Sequence, residues 1–261
     1  MKKSLGNIAD LTRHPLRDDQ FRTVCKRTID ETGALVLPQF LNPDTIASIQ
    51  AQGERCRHLA YYTGNTHNIY LAPQDPQYPQ DHPRNRQVSS SKGCITTDQI
   101  PSESELHALY NASQFREFLC AVLGETNLYP YADPLSSINL HYASDGQELG
   151  WHFDNSSFAI TLMVQAPERG GAFEYVSDVR DPANMEETHA QAQQVLNGDV
   201  PANALSMDEG TLVLFRGRDA LHRVTPVQGQ RTRMLVVLAY NTKPDVALSE
   251  SARMTFYGRL D

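Results

Sequence analysis

The pattern of apolar and polar positions changes near residue 126. Beyond that point, short apolar runs of strand length alternate with polar stretches rich in Gly and Pro. Such runs, bounded by turn residues, are typical of β-strands joined into an antiparallel barrel or jelly roll. The predicted strands cover residues 136–142, 158–165, 171–176, 211–216 and 231–240.

The first half of the chain has a mixed pattern. The apolar run at 34–37 predicts a strand, and Asn42 followed by Pro43 supplies the cap and first residue of a helix that extends to about residue 56. Residues 106–123 place apolar side chains at helical spacing and end before Gly124. Helices therefore precede the main sheet.

A chain of 261 residues fits one β-rich domain. We expect a mainly β protein with flanking helices, in which residues 1–125 support a jelly-roll core at 126–261. A polar segment at 178–206 interrupts the strands, and it contains a predicted helix from Met185 to Leu196. We expect this segment to be an insertion that covers one barrel mouth.

Charge and composition exclude some function classes. A formal net charge of −8 argues against nucleic acid as a partner, because phosphate binding needs clustered Lys and Arg. No apolar run is long enough for a signal peptide or a membrane span, so we expect a cytoplasmic protein without a membrane partner. The four cysteines are scattered and contain no C-x-x-C pair, which indicates reduced thiols.

Three side chains form a candidate metal site. His152 and Asp154 are two residues apart, so on a strand or its extended exit they leave the same face. His222 follows a buried β run 70 residues later and offers a third ligand. Two imidazoles and one carboxylate form the facial triad of non-haem iron, which leaves coordination positions for a keto acid and dioxygen.

Two arginines follow the third ligand. Arg231 and Arg233 are expected on one face of the next strand, beside the metal site if the barrel closes. A guanidinium binds a carboxylate through two parallel hydrogen bonds, which suits the distal carboxylate of 2-oxoglutarate. The alternative is an ordinary surface strand with two solvated arginines.

These residues resemble the iron(II)/2-oxoglutarate-dependent oxygenases of the double-stranded β-helix fold. In that family an H-x-D pair, a distant His and an Arg nine residues further on recur together, which selects Arg231 before Arg233 as the keto-acid anchor. Many members carry Ser where this chain has Arg233. Prolyl-hydroxylase-like members place a Tyr on the preceding strand, which implies that Tyr142 helps to hold the keto acid.

The closer resemblance is to the HalD/BesD-like group of free-amino-acid halogenases and hydroxylases. Four runs within roughly residues 85 to 260 support it, at 152–158, 170–176, 214–218 and 222–226. Halogenases of this group replace the carboxylate ligand by Gly, which opens a coordination site for chloride. This chain retains Asp154, so the resemblance disfavours halogenation.

The resemblance implies Fe(II) and 2-oxoglutarate as cofactor and co-substrate. The expected reaction uses dioxygen and hydroxylates, desaturates or cyclises an unactivated C–H position, with release of succinate and CO2. The implied substrate is a small molecule, a free amino acid or a derivative. The sequence leaves open whether the protein forms a homodimer.

Substrate-binding residues are suggested more weakly. Arg86 lies near the place where related enzymes have an Arg that binds a carboxylate, and Asn155 directly follows a metal ligand. The resemblance and the ends of the predicted strands add Asp133, His141 and Asn241.

Two other functions stay open. One is a non-catalytic metal-binding barrel, which would need a broken keto-acid anchor. The other is an oxygenase that acts on a protein side chain or a nucleobase, and the acidic charge argues only against the nucleobase.

Overall fold

The computed structural model describes residues 4–261 and consists mostly of antiparallel strands with helices on the flanks. The six α-helices are α1 (Asp19–Thr32), α2 (Pro43–Cys56), α3 (Glu105–Tyr110), α4 (Ser113–Leu123), α5 (Met185–Asn197) and α6 (Glu250–Tyr257). No helix in this part of the chain combines the length and the apolar character that a membrane span requires.

Thirteen strands are present within residues 4–261. The first seven are β1 (Ala34–Leu37), β2 (Tyr61–His67), β3 (Val88–Ile95), β4 (Ile138–Ala143), β5 (Leu149–His152), β6 (Ala159–Gln165) and β7 (Arg169–Gly170). The others are β8 (Phe173–Val176), β9 (Asn203–Leu205), β10 (Leu212–Phe215), β11 (Leu221–Val224), β12 (Val227–Gln228) and β13 (Arg233–Leu238).

The strands form a nearly closed antiparallel jelly roll. Their order is β1-β10-β6-β13-β4-β3-β5-β11-β8-β9, with β2 paired to β3 and a separate β12-β7 pair. Strand β3 joins the two halves of the roll, because Cys94 pairs with His141 on β4 whereas Ser90 pairs with Leu149 on β5. The β2–β3 hairpin therefore closes one side of the barrel.

The main core lies between the sheet and the helices of the first half. It includes Phe115 and Phe118 of α4, Ile49 of α2 and alternate side chains of β4 and β13. Helix α1 is amphipathic, begins at the cap Asp18 and ends at Gly33. The predicted strand at 34–37 and the helices at 43–56 and 106–123 match β1, α2 and the α3–α4 pair.

The segment at 178–206 does not cover a barrel mouth. Its helix α5 places Ala192 and Val195 in a cluster with Trp151 and Leu221. Those two residues directly precede His152 and His222, so their side chains leave the opposite face of the strands. The expectation of a mouth-covering insertion was wrong, because the apolar stripe of α5 is buried against the outer face of β5 and β11.

Candidate metal centre and its surroundings

Strands β5 and β11 bring two histidines together. His152 is the last residue of β5 and is the direct cross-strand partner of His222 on β11. Their ring centroids are 4.3 Å apart. Asp154 follows β5 by two residues, and its Oδ1 lies 3.6 Å from Nε2 of His222 and 3.9 Å from Nε2 of His152. Ligand atoms of the three residues all lie within 4.8 Å of one another.

Backbone carbonyls orient both imidazoles. Nδ1 of His152 is 2.7 Å from the carbonyl oxygen of Gly150, and Nδ1 of His222 is 3.0 Å from that of Ala220. A carbonyl only accepts, so each Nδ1 carries the proton and each Nε2 has a free lone pair. Burial and the adjacent His222 lower the pKa of His152 to about 3, so its ring is neutral and ready to bind a metal.

The carboxylate of Asp154 completes the donor set. Its Oδ2 is buried and has no hydrogen-bond partner among residues 4–261. Burial opposes ionisation of this carboxyl, but its interaction with the two neighbouring imidazoles, mainly that of His222, outweighs burial and lowers the pKa of Asp154. A buried, unpartnered carboxylate beside two imidazoles that face each other fits a divalent cation, and the two-His, one-carboxylate set is typical of non-haem iron(II).

Gly217 makes room for that carboxylate. The backbone N–H of Asp154 donates to the carbonyl oxygen of Gly217 at 2.9 Å. A Cβ at this glycine would lie 1.9 Å from Oδ2 of Asp154. Glycine is therefore required here for space, although its φ is not positive.

A hydrogen-bonded group behind His152 was missed by the sequence analysis. Ser90 Oγ accepts from the backbone N–H of Gly150 at 2.9 Å and lies 2.6 Å from Nε2 of His67. The ring of His67 meets that of His152 edge-on, with centroids 5.9 Å apart. These contacts hold Gly150, the residue whose carbonyl oxygen orients His152. They arise from the β2–β3 hairpin, whose polar sequence gave no strand signal.

The two arginines after His222 occupy different environments. Arg231 is exposed and forms an ion pair with Glu209, whereas the side chain of Arg233 is buried. Strand β13 begins only at Arg233, after a turn at Gly229, so strand alternation does not extend back to Arg231. The selection of Arg231 as the keto-acid anchor was wrong.

Arg233 has the properties expected of an anion ligand. Its Nε and Nη2 are buried without hydrogen-bond partners in the described part of the chain. Burial lowers its pKa to about 10, which still leaves the guanidinium protonated at neutral pH. A Cβ on Gly171 would lie 3.0 Å from Cδ of Arg233, so this glycine, which has a φ of 60°, leaves space for the side chain.

Tyr142 cannot hold the keto acid as expected. Its ring is fully buried in the main core, and its hydroxyl donates to the carbonyl oxygen of Gly53 at 2.7 Å. Tyr142 and His141 alternate along β4, so the tyrosine points towards α2 while the histidine points into the barrel.

Three of the suggested substrate residues have structural partners instead. Arg86 donates to Oδ1 of Asn197 and to the carbonyl oxygen of Leu196, so it binds the C-terminal end of α5. Asp133 Oδ1 accepts from Ser136, and its Oδ2 accepts from the backbone N–H of Leu248.

Asn241 is the third suggested substrate residue that has a structural partner. Its backbone pairs with Tyr129, and its side-chain amide donates to the carbonyl oxygen of Val246 at 3.4 Å. These polar groups are used to tie loops together, so the substrate roles suggested for Arg86, Asp133 and Asn241 are corrected.

Two suggested residues stay candidates. Asn155 is exposed beside Asp154, and its backbone carbonyl accepts from Arg218. His141 faces the barrel interior, where its ring nitrogens lie 3.3 Å and 3.4 Å from Nζ of Lys92. Lys92 itself was missed, because it too belongs to the polar β2–β3 hairpin.

Comparison with protein families places the site in context. The family model described as Halogenase D matches residues 16–256. No curated protein matches the chain.

Solved structures of iron- and 2-oxoglutarate-dependent oxygenases share the fold. An oxidoreductase of the 2OG-Fe(II) oxygenase family from Burkholderia pseudomallei is 14% identical, with a TM-score of 0.56 over 86% of this chain and 92% of that chain. A Pseudomonas putida prolyl-4-hydroxylase is 14% identical, with a TM-score of 0.51 over 84% of this chain and 98% of that one. The epimerase SnoN, in complex with Fe3+, alpha ketoglutarate and nogalamycin RO, is 10% identical, with a TM-score of 0.55 over 85% and 84% of the two chains.

Proposed function

The chain belongs to the Halogenase D family, and on that premise we propose that it is an iron(II)- and 2-oxoglutarate-dependent oxygenase. One observation carries the proposal. His152, Asp154 and His222 present their ligand atoms within 4.8 Å of one another, in a fold that enzymes of this class share.

The chain's own residues would hold the metal by a defined set of atoms. Nε2 of His152, Nε2 of His222 and a carboxylate oxygen of Asp154 are the donors, because both Nδ1 atoms already donate to carbonyl oxygens. A ferrous ion bound there would supply the redox chemistry with dioxygen. The carbonyl groups of Gly150 and Ala220 prevent rotation of the rings, which keeps the lone pairs directed at the metal.

Arg233 is the proposed anchor of 2-oxoglutarate. Its unpartnered Nε and Nη2 can donate to the two oxygens of the distal carboxylate. This interaction would orient the keto acid so that its other end reaches the metal. An intact buried arginine at this place argues against a barrel that binds metal without turnover.

Asp154 favours oxygenation over halogenation. In the family's halogenases a Gly at this position leaves a coordination site for chloride, whereas here the carboxylate of Asp154 would fill that site once a metal is bound. The space left by Gly217 fits that carboxylate closely. The proposed enzyme is therefore a hydroxylase within a family named for halogenation.

The proposed reaction oxidises a C–H bond of a small amino-acid-like molecule. One oxygen atom of O2 enters succinate as the keto acid loses CO2, and the other enters the product alcohol. Desaturation or ring closure would instead release that second atom as water. A cavity of about 200 Å3, lined by Lys92 and His141 and by Phe256 and Tyr257 of α6, has room for a molecule of this size.

A library screen tests this function. The protein is reconstituted anaerobically with Fe(II) and 2-oxoglutarate, each free amino acid is added, and succinate is measured after oxygen is admitted. We expect at least one amino acid to stimulate succinate release above the uncoupled rate. Absence of iron-dependent succinate under all conditions would contradict the proposal.

A further inference from the structure

Lys92 enters the barrel without an anionic partner. It lies two residues before Cys94, whose partner across β3 and β4 is His141, so all three side chains face the interior. Nζ of Lys92 lies 3.3 Å and 3.4 Å from the two ring nitrogens of His141 and 5.9 Å from the centroid of the Phe256 ring. Within residues 4–261, no carboxylate oxygen forms a salt bridge with this ammonium group.

His141 cannot neutralise the ammonium group. Burial, followed by the charges of Lys92 and Arg233, holds the pKa of His141 well below its usual value, so the ring is neutral. A neutral imidazole has one nitrogen able to accept, which uses one of the three ammonium protons. A protonated Lys92 therefore keeps two N–H donors for another group, and an anion beside it would stabilise the protonated form.

The ammonium group borders a cavity that has no acidic lining. The cavity has a volume of about 200 Å3, and its walls include Asn139, Tyr131, Phe256 and Tyr257. None of its lining residues is Asp or Glu, and neither Arg233 nor the metal ligands line it. Lys92 lies two residues after Ser90 on β3, and Ser90 accepts from the backbone N–H of Gly150, whose carbonyl oxygen orients His152, so the cavity adjoins the proposed metal site.

The charges of the proposed site leave Lys92 uncompensated. A ferrous ion, Asp154, Arg233 and dianionic 2-oxoglutarate together carry no net charge. A protonated Lys92 adds one positive charge in a buried setting, and burial lowers the pKa of Lys92 because no anion accompanies it. One further carboxylate on the bound substrate would provide that anion.

We propose that Lys92 binds the carboxylate of the substrate, and that the cavity beside it accepts a small organic acid such as a free amino acid. This inference rests on the proposed oxygenase function and assigns to Lys92 the role that the sequence suggested for Arg86. Arg233 holds the co-substrate, and Lys92 selects the substrate by its charge. The cavity is smaller than the pockets of about 300–1,000 Å3 that hold drug-sized ligands, which fits a molecule of amino-acid size.

A titration with 2-oxoglutarate in the absence of oxygen distinguishes the role of Lys92 from that of Arg233. Ferrous protein is titrated with 2-oxoglutarate, and the visible charge-transfer band of the iron–keto acid complex is followed for the wild type, Lys92→Met and Arg233→Met. We expect Lys92→Met to change the Kd for 2-oxoglutarate by less than about twofold, and Arg233→Met to raise it by at least about tenfold. An equal loss in both variants would overturn the inference, because Lys92 would then belong to the co-substrate site.

The second titration uses the twenty standard amino acids and their carboxamides as probes. We expect at least one acid to perturb the band of the wild type, with a Kd at least about tenfold higher in Lys92→Met and partly restored in Lys92→Arg. Its carboxamide is expected to bind the wild type and Lys92→Met alike. If no acid distinguishes these two proteins, the inference is wrong; if the wild type forms no band with 2-oxoglutarate, the proposed function fails and the inference with it.

Thermal unfolding of the metal-free protein gives an independent readout. Removal of a buried, unpaired charge does not destabilise a fold that has no use for it, so Lys92→Met is expected to keep or raise the wild-type Tm. A clear fall in Tm would instead assign Lys92 a structural role.

Discussion

Gly217 lies where any side chain would displace the carboxylate of Asp154. A Cβ there would be 1.9 Å from Oδ2 and 2.6 Å from Cγ of the aspartate. The backbone of Gly217 also accepts the N–H of Asp154, so the two residues are held together and the aspartate cannot move away freely. The metal site therefore depends on a residue that donates no ligand.

Gly217→Ala is expected to weaken iron binding by about 10–100-fold, the usual effect of disturbing groups that support metal ligands. The new methyl group pushes the carboxylate out of line with the two imidazoles. Fe(II) affinity by competition with a chelator is the measurement. Gly64→Ala is a matched control, because the nearest atom to its Cβ would be 3.9 Å away. Wild-type affinity in Gly217→Ala would contradict the geometry.

Substitution of the two arginines after His222 should affect the binding of 2-oxoglutarate very differently. Arg233→Met removes a buried, charge-assisted contact to the keto acid, which is expected to cost about 2–5 kcal/mol of binding free energy. Arg231→Met removes only an exposed ion pair with Glu209 and is expected to leave the Kd for 2-oxoglutarate unchanged. Calorimetric titration of the metal-loaded proteins distinguishes them, and a larger loss in Arg231→Met would reverse the assignment.

Arg86 should contribute to stability but not to binding of the substrate. Its guanidinium caps the carbonyl end of α5, so Arg86→Ala is expected to lower the free energy of unfolding by about 0.3–1 kcal/mol. Urea unfolding measures this change. A large rise in the Kd for the amino acid that stimulates succinate release, with stability intact, would show that the contact with α5 is not its main role.

His141 should make the metal-free protein less stable in acid. Its pKa in the fold is held well below the value of about 6.5 expected in the unfolded chain, first by burial and then by the charges of Lys92 and Arg233. Below about pH 6.5 the unfolded chain therefore takes up a proton that the folded protein does not. Stability falls as pH falls, by up to about 1.4 kcal/mol per pH unit for this one group.

His141→Gln is expected to reduce that slope between about pH 7 and pH 5. Urea unfolding of the metal-free wild type and variant at several pH values measures the difference. Other buried histidines contribute equally to both proteins, so they cancel. An unchanged slope would mean that His141 is protonated in the folded protein.

The fold was predicted well where apolar runs coincide with buried strands. The predicted strand at 158–165 corresponds to β6 and that at 211–216 to β10, because both lie in the middle of the sheet between two neighbours. The β2–β3 hairpin was not predicted, since its side chains are mostly polar and many are exposed. Its position depends on pairing with β4 and β5, which no local pattern reports.

The candidate site, like the fold, was only partly predictable from the sequence. His152, Asp154 and His222 were recognisable because their residue types and spacing carry the chemistry. The anchor was misassigned to Arg231 because strand alternation was extended through a turn that precedes β13. Lys92 and His67 reach the site only through the hairpin, so their roles could not be seen before the strands were paired.

The most direct test of the account compares the wild type with His222→Ala. Each protein is mixed with Fe(II) and 2-oxoglutarate without oxygen, freed of excess metal, assayed for retained iron and then exposed to oxygen for succinate analysis. We expect the wild type to retain iron and form succinate, and His222→Ala to do neither. Undiminished succinate formation by the variant would contradict the proposed metal site.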